Sequence, residues 1–332
     1  MSGSSRNSAM RIPLGLLAAA LLTSPGSAQA AYPDRPITLI GPFAAGGPTD
    51  VVARIVAESM SRTLGQQIVV ENVAGAGGTT GSIRAAQATP DGYTIEMGHM
   101  GTHGAAPAVY PGLKYDPVKD FAPIGLAAGT PILIVARKNF PAKDLKELIS
   151  YVKANAEKLN LGHAGVGSIS YTNGLWFSAL LGVRPAFVPF TGTAPAATAL
   201  LAGQIDFMSG SISDFGPHIQ SGAIKAYATA SAERSHVFPD IPTTREAGLP
   251  EFQTAPWWAL FAPKGTPQPI VDKLSAALDE SLDDETVRKR FTELGTDGLH
   301  REKRGQQALA TLVKSEIARW TPIIKAANIK GE

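Results

Sequence analysis

The chain has 332 residues, 30 of them basic and 28 acidic, a formal net charge of +2 and no cysteine. This composition excludes disulfides, thiol chemistry and thiolate metal sites, and a near-neutral chain offers no electrostatic footprint for nucleic acid or an anionic membrane surface. The small positive excess lies at the start, where Arg6 and Arg11 are the only charged residues before residue 31.

Those two arginines flank the start of an unbroken small and apolar run, residues 12–22. Ala28-Gln29-Ala30 follows with the small-x-small pattern that signal peptidase reads. The run is shorter than the roughly 20 residues that span a bilayer, and no cysteine follows it for lipidation. Residues 1–30 therefore read as an export leader cleaved after Ala30, with a retained anchor as the weaker alternative. Export without disulfides fits a bacterial periplasm. The remaining length suits about two domains.

From residue 36 onward, short apolar runs alternate with helical patterns. A strand over 36–40 precedes a helix over 49–64, in which Val52, Ile55, Val56 and Met60 form an apolar stripe and Gly65 takes the C-terminal cap. Strand 67–70, helix 78–88 and strand 93–97 follow. Beyond residue 130 come helix 144–157, strand 160–163, helix 170–181, strand 186–190, helix 193–202 and strand 205–208. The last part reads as strand 257–262 and helices 267–282, 284–294 and 302–328. Such alternation predicts an α/β fold with parallel sheets covered by helices on both faces. Right-handed crossovers gather the strand-to-helix loops on one edge, where ligands of open α/β sheets bind. Two blocks, 36–130 and 131–250, predict two lobes facing each other across a cleft.

The loops on those edges are rich in glycine, serine and threonine. They are Gly41-Pro-Phe-Ala-Ala-Gly-Gly-Pro-Thr-Asp50, Asn72-Val-Ala-Gly-Ala-Gly-Gly-Thr-Thr-Gly81, Gly98-His-Met-Gly-Thr-His-Gly104, Gly162-His-Ala-Gly-Val-Gly-Ser168 and Pro189-Phe-Thr-Gly-Thr193. Each precedes a predicted helix. Glycine lets backbone approach a ligand, and helix N-termini present unpaired N–H groups at a positive dipole end. Several such ends converging on one cleft make an anion site that needs no lysine or arginine. Taken singly, each loop is as well explained by ordinary turns and caps; the five together favour binding. Asp50 reads either as a first-turn cap or as a ligand contact, and Asp206 is similarly open.

Enzyme motifs fail. The stretch 75–81 resembles a dinucleotide-binding loop whose third glycine comes one residue late, with Glu96 at the distance of a ribose-binding acid; a nucleotide-dependent enzyme is thus a runner-up. No phosphate-binding GxxxxGK[ST] loop occurs, and Ser168 lacks a nucleophile elbow. His99 and His103 stand four apart without a third metal ligand nearby. Trp257 and Trp258 read as core or cleft wall.

With these residues in view, the chain resembles the substrate-binding proteins of tripartite tricarboxylate transporters, the Bug family. The signatures are Tyr32-Pro-Asp-Arg-Pro-Ile37, the 42–50 loop with Ala53-Arg54, Glu71-Asn-Val-Ala-Gly-Ala-Gly-Gly78, Pro90-Asp-Gly-Tyr-Thr94 and Tyr115-Asp-Pro-Val-Lys-Asp-Phe-Ala-Pro-Ile124. They continue with Gly165-Val-Gly-Ser168, Val188-Pro-Phe-Thr-Gly192, Gly203-Gln-Ile-Asp206, Pro242-Thr-Thr-Arg-Glu-Ala-Gly248 and Ala262-Pro-Lys-Gly-Thr-Pro267. The match spans 32–332.

The resemblance implies a two-lobed periplasmic-binding-protein (type II, Venus flytrap) fold. Lobe 1 is residues 31–130 plus 252–332, and lobe 2, residues 131–251, is inserted into it. The implied function is a periplasmic receptor, not an enzyme, that closes on a small carboxylate and presents it to an integral-membrane permease. A sensor for a two-component system would use the same clamp. No cofactor, metal or nucleic acid is implied, and a monomer is expected. The loops and the resemblance together nominate Phe43, Ala44, Gly46, Gly47, Thr49, Asp50, Gly77, Gly78, Thr79, Thr102 and His103 from lobe 1. From lobe 2 they nominate Ser168, Tyr171, Phe190, Thr191, Gly192 and Asp206. Where the family usually has His and Glu after the Gly-Ser, this chain has Tyr171 and Leu175, and the usual Pro-Tyr-Lys-Gly is Pro189-Phe-Thr-Gly192. That less ionic lobe implies a monocarboxylate or aromatic carboxylate.

Overall fold

The computed structural model describes residues 32–326 apart from 232, 255, 296–298 and 300. Of the first 31 residues it describes only 1, 3 and 4, so the expected leader lies outside the described residues. The first elements in chain order are β1 (Ile37–Gly41), α1 (Pro48–Leu64), β2 (Ile68–Asn72), α2 (Thr79–Ala86), β3 (Thr94–His99), a short α3 (Ala106–Val109) and β4 (Phe121–Gly129). Next come β5 (Ile132–Arg137), α4 (Leu145–Asn155), β6 (Asn160–His163), α5 (Ile169–Leu181), β7 (Ala186–Pro189), α6 (Thr193–Leu201), β8 (Phe207–Ser211), α7 (Ile212–Gln220) and β9 (Ile224–Thr229). The chain closes with β10 (Trp257–Pro263), α8 (Gln268–Asp283), α9 (Glu285–Glu293) and α10 (Gly305–Ala326).

The strands form two five-stranded sheets, in the orders β2-β1-β3-β10-β4 and β7-β6-β8-β5-β9. Period-two burial explains why each sheet carries helices on both faces. In β1, Leu39 packs with the α1, α8 and α9 stripes (Ile55, Leu274, Phe291), while Ile40 packs with α10 residues such as Val313 and Trp320. In β5, Ile134 turns toward α4 and α5 (Leu148, Phe177), while Val135 turns toward α6 and α7 (Leu200, Phe215). Burying each such side chain contributes about 1.5–3 kcal/mol. The helix ends follow their sequence signals: α1 stops at Gly65, which is left-handed at φ 69°, and α4 starts at Asp144, whose side chain accepts from Glu147 N.

The expectation of parallel sheets needs correction. β1, β2 and β3 are parallel, as are β6, β7 and β8, but β10 is antiparallel to both β3 and β4, and β5 to both β8 and β9. The reason is connectivity. β4 passes through Thr130 and Pro131 straight into β5 of the other sheet, and β10 brings the chain back. Strands that cross between sheets arrive from the ligand edge rather than leave toward it, so they run opposite to their neighbours. Thr130 N donates to Pro256 O at 3.2 Å, tying the two crossings together. Among the described residues no helix is long and apolar enough to cross a membrane.

Candidate ligand-binding site

The carboxyl ends of β1, β3, β6 and β8 and the entering ends of β5 and β10 surround one cavity. Its lining draws on both sheets: Phe43, Ala44, Gly47, Pro48, Thr49, His99 and Trp258 from the first, and Ile132, Ala164, Ser168, Ile169, Ser170, Thr193, Gly210, Ser211 and Asp214 from the second. Among the described residues, no lysine or arginine lines it. Instead, the first turns of α1, α5, α6 and α7 reach its wall, each with a positive dipole end.

How those four ends are capped separates them. Ser168 caps α5 by accepting from Tyr171 N at 3.2 Å, and its hydroxyl lies 3.2 Å from that of Ser170. In α7 the Asp214 carboxylate accepts from Ser211 N at 2.9 Å and from Ser211 Oγ at 2.7 Å. The caps of α1 and α6 are Gly47 and Gly192, and neither helix has a side-chain cap. These two open ends, one from each sheet, meet: a Cβ on Gly192 would lie 3.3 Å from the Ala44 methyl.

Two further donors face the cavity. Thr49 Oγ1 accepts from the buried Trp258 indole at 2.9 Å, which leaves its own proton available. His99 Nδ1 accepts from Gly101 N at 2.7 Å, and burial pushes this imidazole down to about 3. The ring is therefore neutral with its proton on Nε2. It stands 4.8 Å, centroid to centroid, from the Phe43 ring.

Of the residues nominated from sequence, the structure brings Phe43, Ala44, Gly47, Thr49 and Ser168 to the cavity wall. Others shape its surroundings. Gly46 N donates to Asp50 Oδ2 at 2.9 Å, and the Asp50 carboxylate also holds Arg54 and Asn72, so this acid staples the 42–50 loop. Gly77 (φ 63°) lies where any Cβ would strike Val166 O of the second sheet, and Gly78 (φ 95°) sits against Phe43 and Thr102. Thr79 Oγ1 donates to Ala76 O at 2.9 Å.

The remaining nominations lie off the wall. Thr102 and His103 are wholly buried behind it, with their polar atoms 2.9 Å apart. Tyr171 is buried against His163 and Phe187, Phe190 packs beside α6 and α7, and Thr191 is exposed while its neighbour Thr193 lines the cavity. Asp206 precedes β8 at the far end of the strand, about 13 Å of extended chain from Gly210. It pairs with Arg137 Nε at 3.0 Å and accepts from Asn160 N at 2.8 Å. Glu96, read as a possible ribose acid, is fully buried on Ser82 Oγ at 2.6 Å, which removes the basis of the dinucleotide reading. No group of three His, Cys, Asp or Glu among the described residues could hold a metal.

The family model of the tripartite tricarboxylate transporter family receptor matches residues 52–329. The chain belongs to this receptor family. A family relative in Agrobacterium vitis, a UPF0065 protein in the TAR-I ttuE-ttuC′ intergenic region, is 42% identical over 313 residues, covering 94% of this chain and 90% of the relative. Among solved structures, MatC from Rhodopseudomonas palustris with bound malate is 50% identical with a TM-score of 0.86, covering 88% of this chain and 100% of that one. The periplasmic binding protein BugD is 44% identical, also with a TM-score of 0.86, over 90% and 100% of the two chains. The two-sheet architecture is thus that of this receptor family.

Sequence reading missed His99 as a donor, Thr193 and the whole α7 contribution, whereas Trp258 stands in the cleft wall as expected. Ser211-Ile-Ser-Asp214 carries the Ser-x-x-acid spacing of a helix start after an apolar run, a signal that was available.

Proposed function

We propose that the chain is a periplasmic solute receptor that clasps a small carboxylate, a short dicarboxylate of the malate class, and delivers it to a membrane permease. The observation that carries this reading is the pair of glycine-capped helix N-termini, α1 and α6, converging from opposite sheets on a cavity without a cationic side chain. Unpaired N–H groups at such ends bind anions directly. The malate held by a 50%-identical family member supports the same class. Expectation of an aromatic or monocarboxylate ligand rested on Tyr171, Leu175 and Phe190, none of which lines the cavity. The wall beyond α1 instead carries Ser168, Ser170, Thr193, Ser211 and Asp214, which suits a second polar end.

The reading also places the lobe boundaries at 130/131 and 251/252, beside the paired crossings. Ligand touching both lobes stabilises their closed arrangement. Binding rather than turnover is supported by the hydroxyls of the wall: Ser168 and Ser170 bond to each other, and His99 Nδ1 is occupied by Gly101 N. Thermal-shift measurements with malate, adipate and benzoate test the proposal. Malate at about 100 times its Kd stabilises the fold by about 2.7 kcal/mol. Stabilisation by benzoate and by no dicarboxylate would overturn the ligand class, and turnover of malate would overturn the receptor role.

A further inference from the structure

Among the described residues, Asp214 is the one carboxyl group that lines the cavity. It stands in the first turn of α7, and its Oδ2 is held by Ser211 N and Ser211 Oγ. Its Oδ1 has no hydrogen-bond partner among the described residues, although the side chain is partly buried. A carboxyl group on this wall shares the cavity with the open ends of α1 and α6. An ionised Asp214 would set a third negative charge beside a dicarboxylate in a cavity that holds no cation, and like charges at close range cannot all persist there.

Resting on the carboxylate-capture reading, we propose that Asp214 binds the ligand as the neutral acid. Its Oδ1–H donates to the second carboxylate of a short dicarboxylate, so capture of the dianion above neutral pH takes up one proton from solvent. The proton moves from water to Asp214, and no other bond changes.

The surroundings favour this protonation. Burial pushes the Asp214 carboxyl up to about 7, against the lowering effect of its bonds from Ser211. Among the described residues no opposite charge is bonded to it. α6 and β8, which pack on α7, contain no titratable residue. In β9, Lys225 and Tyr227 are turned away to the carbonyls of Phe140 and Ala142. On α7 itself, His218 stands one turn beyond Asp214, at the i+4 position on the same face. Across the cavity the other titratable group is His99, which stays neutral.

The test is calorimetric titration of the full chain with L-malate at pH 6, in Mes and Bis-Tris, and at pH 8, in Hepes and Tris, each pair differing in ionisation enthalpy and so reporting proton uptake. At pH 8 uptake approaches one proton per malate, at pH 6 it approaches none, and affinity falls by up to about tenfold per pH unit above 7. In Asp214→Asn, uptake disappears and affinity no longer varies between pH 6 and 8. L-Lactate, which lacks the second carboxylate, binds without uptake. Malate binding to the wild type at pH 8 without proton uptake overturns the inference. So does uptake that persists in a folded Asp214→Asn. Absence of malate binding at either pH overturns the carboxylate-capture reading instead, so the two failures are distinct.

Discussion

Asp50 lies in the first turn of α1, one residue beyond the cavity wall, yet its hydrogen-bonding capacity is spent on the protein. Oδ2 accepts from Gly46 N and Arg54 Nε, and Oδ1 accepts from Asn72 Nδ2 at 2.9 Å with Arg54 Nη2 also 2.9 Å away. Burial raises this carboxyl, but the bonds from Arg54, Gly46 and Asn72 outweigh it and hold the group below its ordinary value of 3.8. A depressed folded value stabilises the fold above pH 3.8 and loses that contribution as pH falls through it. Asp50→Asn therefore costs about 1.5–3 kcal/mol at pH 7, and the gap from wild type narrows toward pH 3. Urea denaturation at the two pH values measures this; an equal gap at both would remove the staple. The same residue shows what sequence can and cannot give at a binding site. The glycine-rich loop was legible because glycine before Pro-Thr-Asp marks a helix entrance. Whether the acid there meets ligand or loop depends on Gly46 N and Asn72, which only the fold brings within reach.

At the scale of elements, β3 carries a buried polar column behind the cavity. Glu96 Oε1 accepts from Ser82 Oγ, while Oε2 and His103 Nε2 stand 3.8 Å apart without partners. The His103 ring stacks on Phe261 at 4.0 Å, and its Nδ1 lies 2.9 Å from Thr102 Oγ1. Burial pushes Glu96 up to about 8 and His103 well below 6.5, so both are neutral at pH 7. For Glu96 the folded state binds the proton more tightly than the unfolded chain, so stability falls as pH rises from about 4.5 to about 8. Glu96→Gln keeps the bond partners and removes the titration. Its Tm advantage over wild type should widen across that window, and a constant difference would show that Glu96 does not titrate there. Three of the elements missed from sequence have physical reasons of the same kind, whereas β5 was missed despite its Ile-Leu-Ile-Val strand signal. β4 contains Pro123, Gly125 and two consecutive alanines, and β9 is half alanine and threonine, so neither displays strong β-propensity; the helix α7 contains Gly216 and Pro217, which read as a turn. Tertiary pairing, not local preference, makes these segments regular. The long amphipathic helices and the short parallel strands were legible because periodicity and caps agreed.

For the whole molecule, the two sheets are joined by two crossings, and loops from the two touch. Tyr110 donates its hydroxyl to Val166 O at 2.5 Å, and the same oxygen lies over Gly77. Trp320 of α10 meets Trp176 of α5 edge to face at 5.5 Å, and Arg319 donates to Gln253 O at 2.7 Å. The Tyr110–Val166 and Trp320–Trp176 contacts join residues on either side of the proposed lobe boundary, so each is available to a closed arrangement and lost from an open one. Gly77 is the tightest of them, since a Cβ there would sit 1.3 Å from Val166 O. Its φ of 63° adds a cost of about 1–2 kcal/mol for any other residue. Gly77→Ala should therefore leave both lobes folded and oppose their apposition. If the closed population drops about tenfold, apparent affinity for malate drops about tenfold with it. Small-angle scattering provides the discriminating measurement. Wild type should compact on adding malate, and Gly77→Ala should keep the larger radius of gyration at the same concentration. A variant that compacts and binds like wild type would mean that Gly77 and Val166 do not limit closure, and the clasp would have to be sought at Gly192 and Ala44 instead.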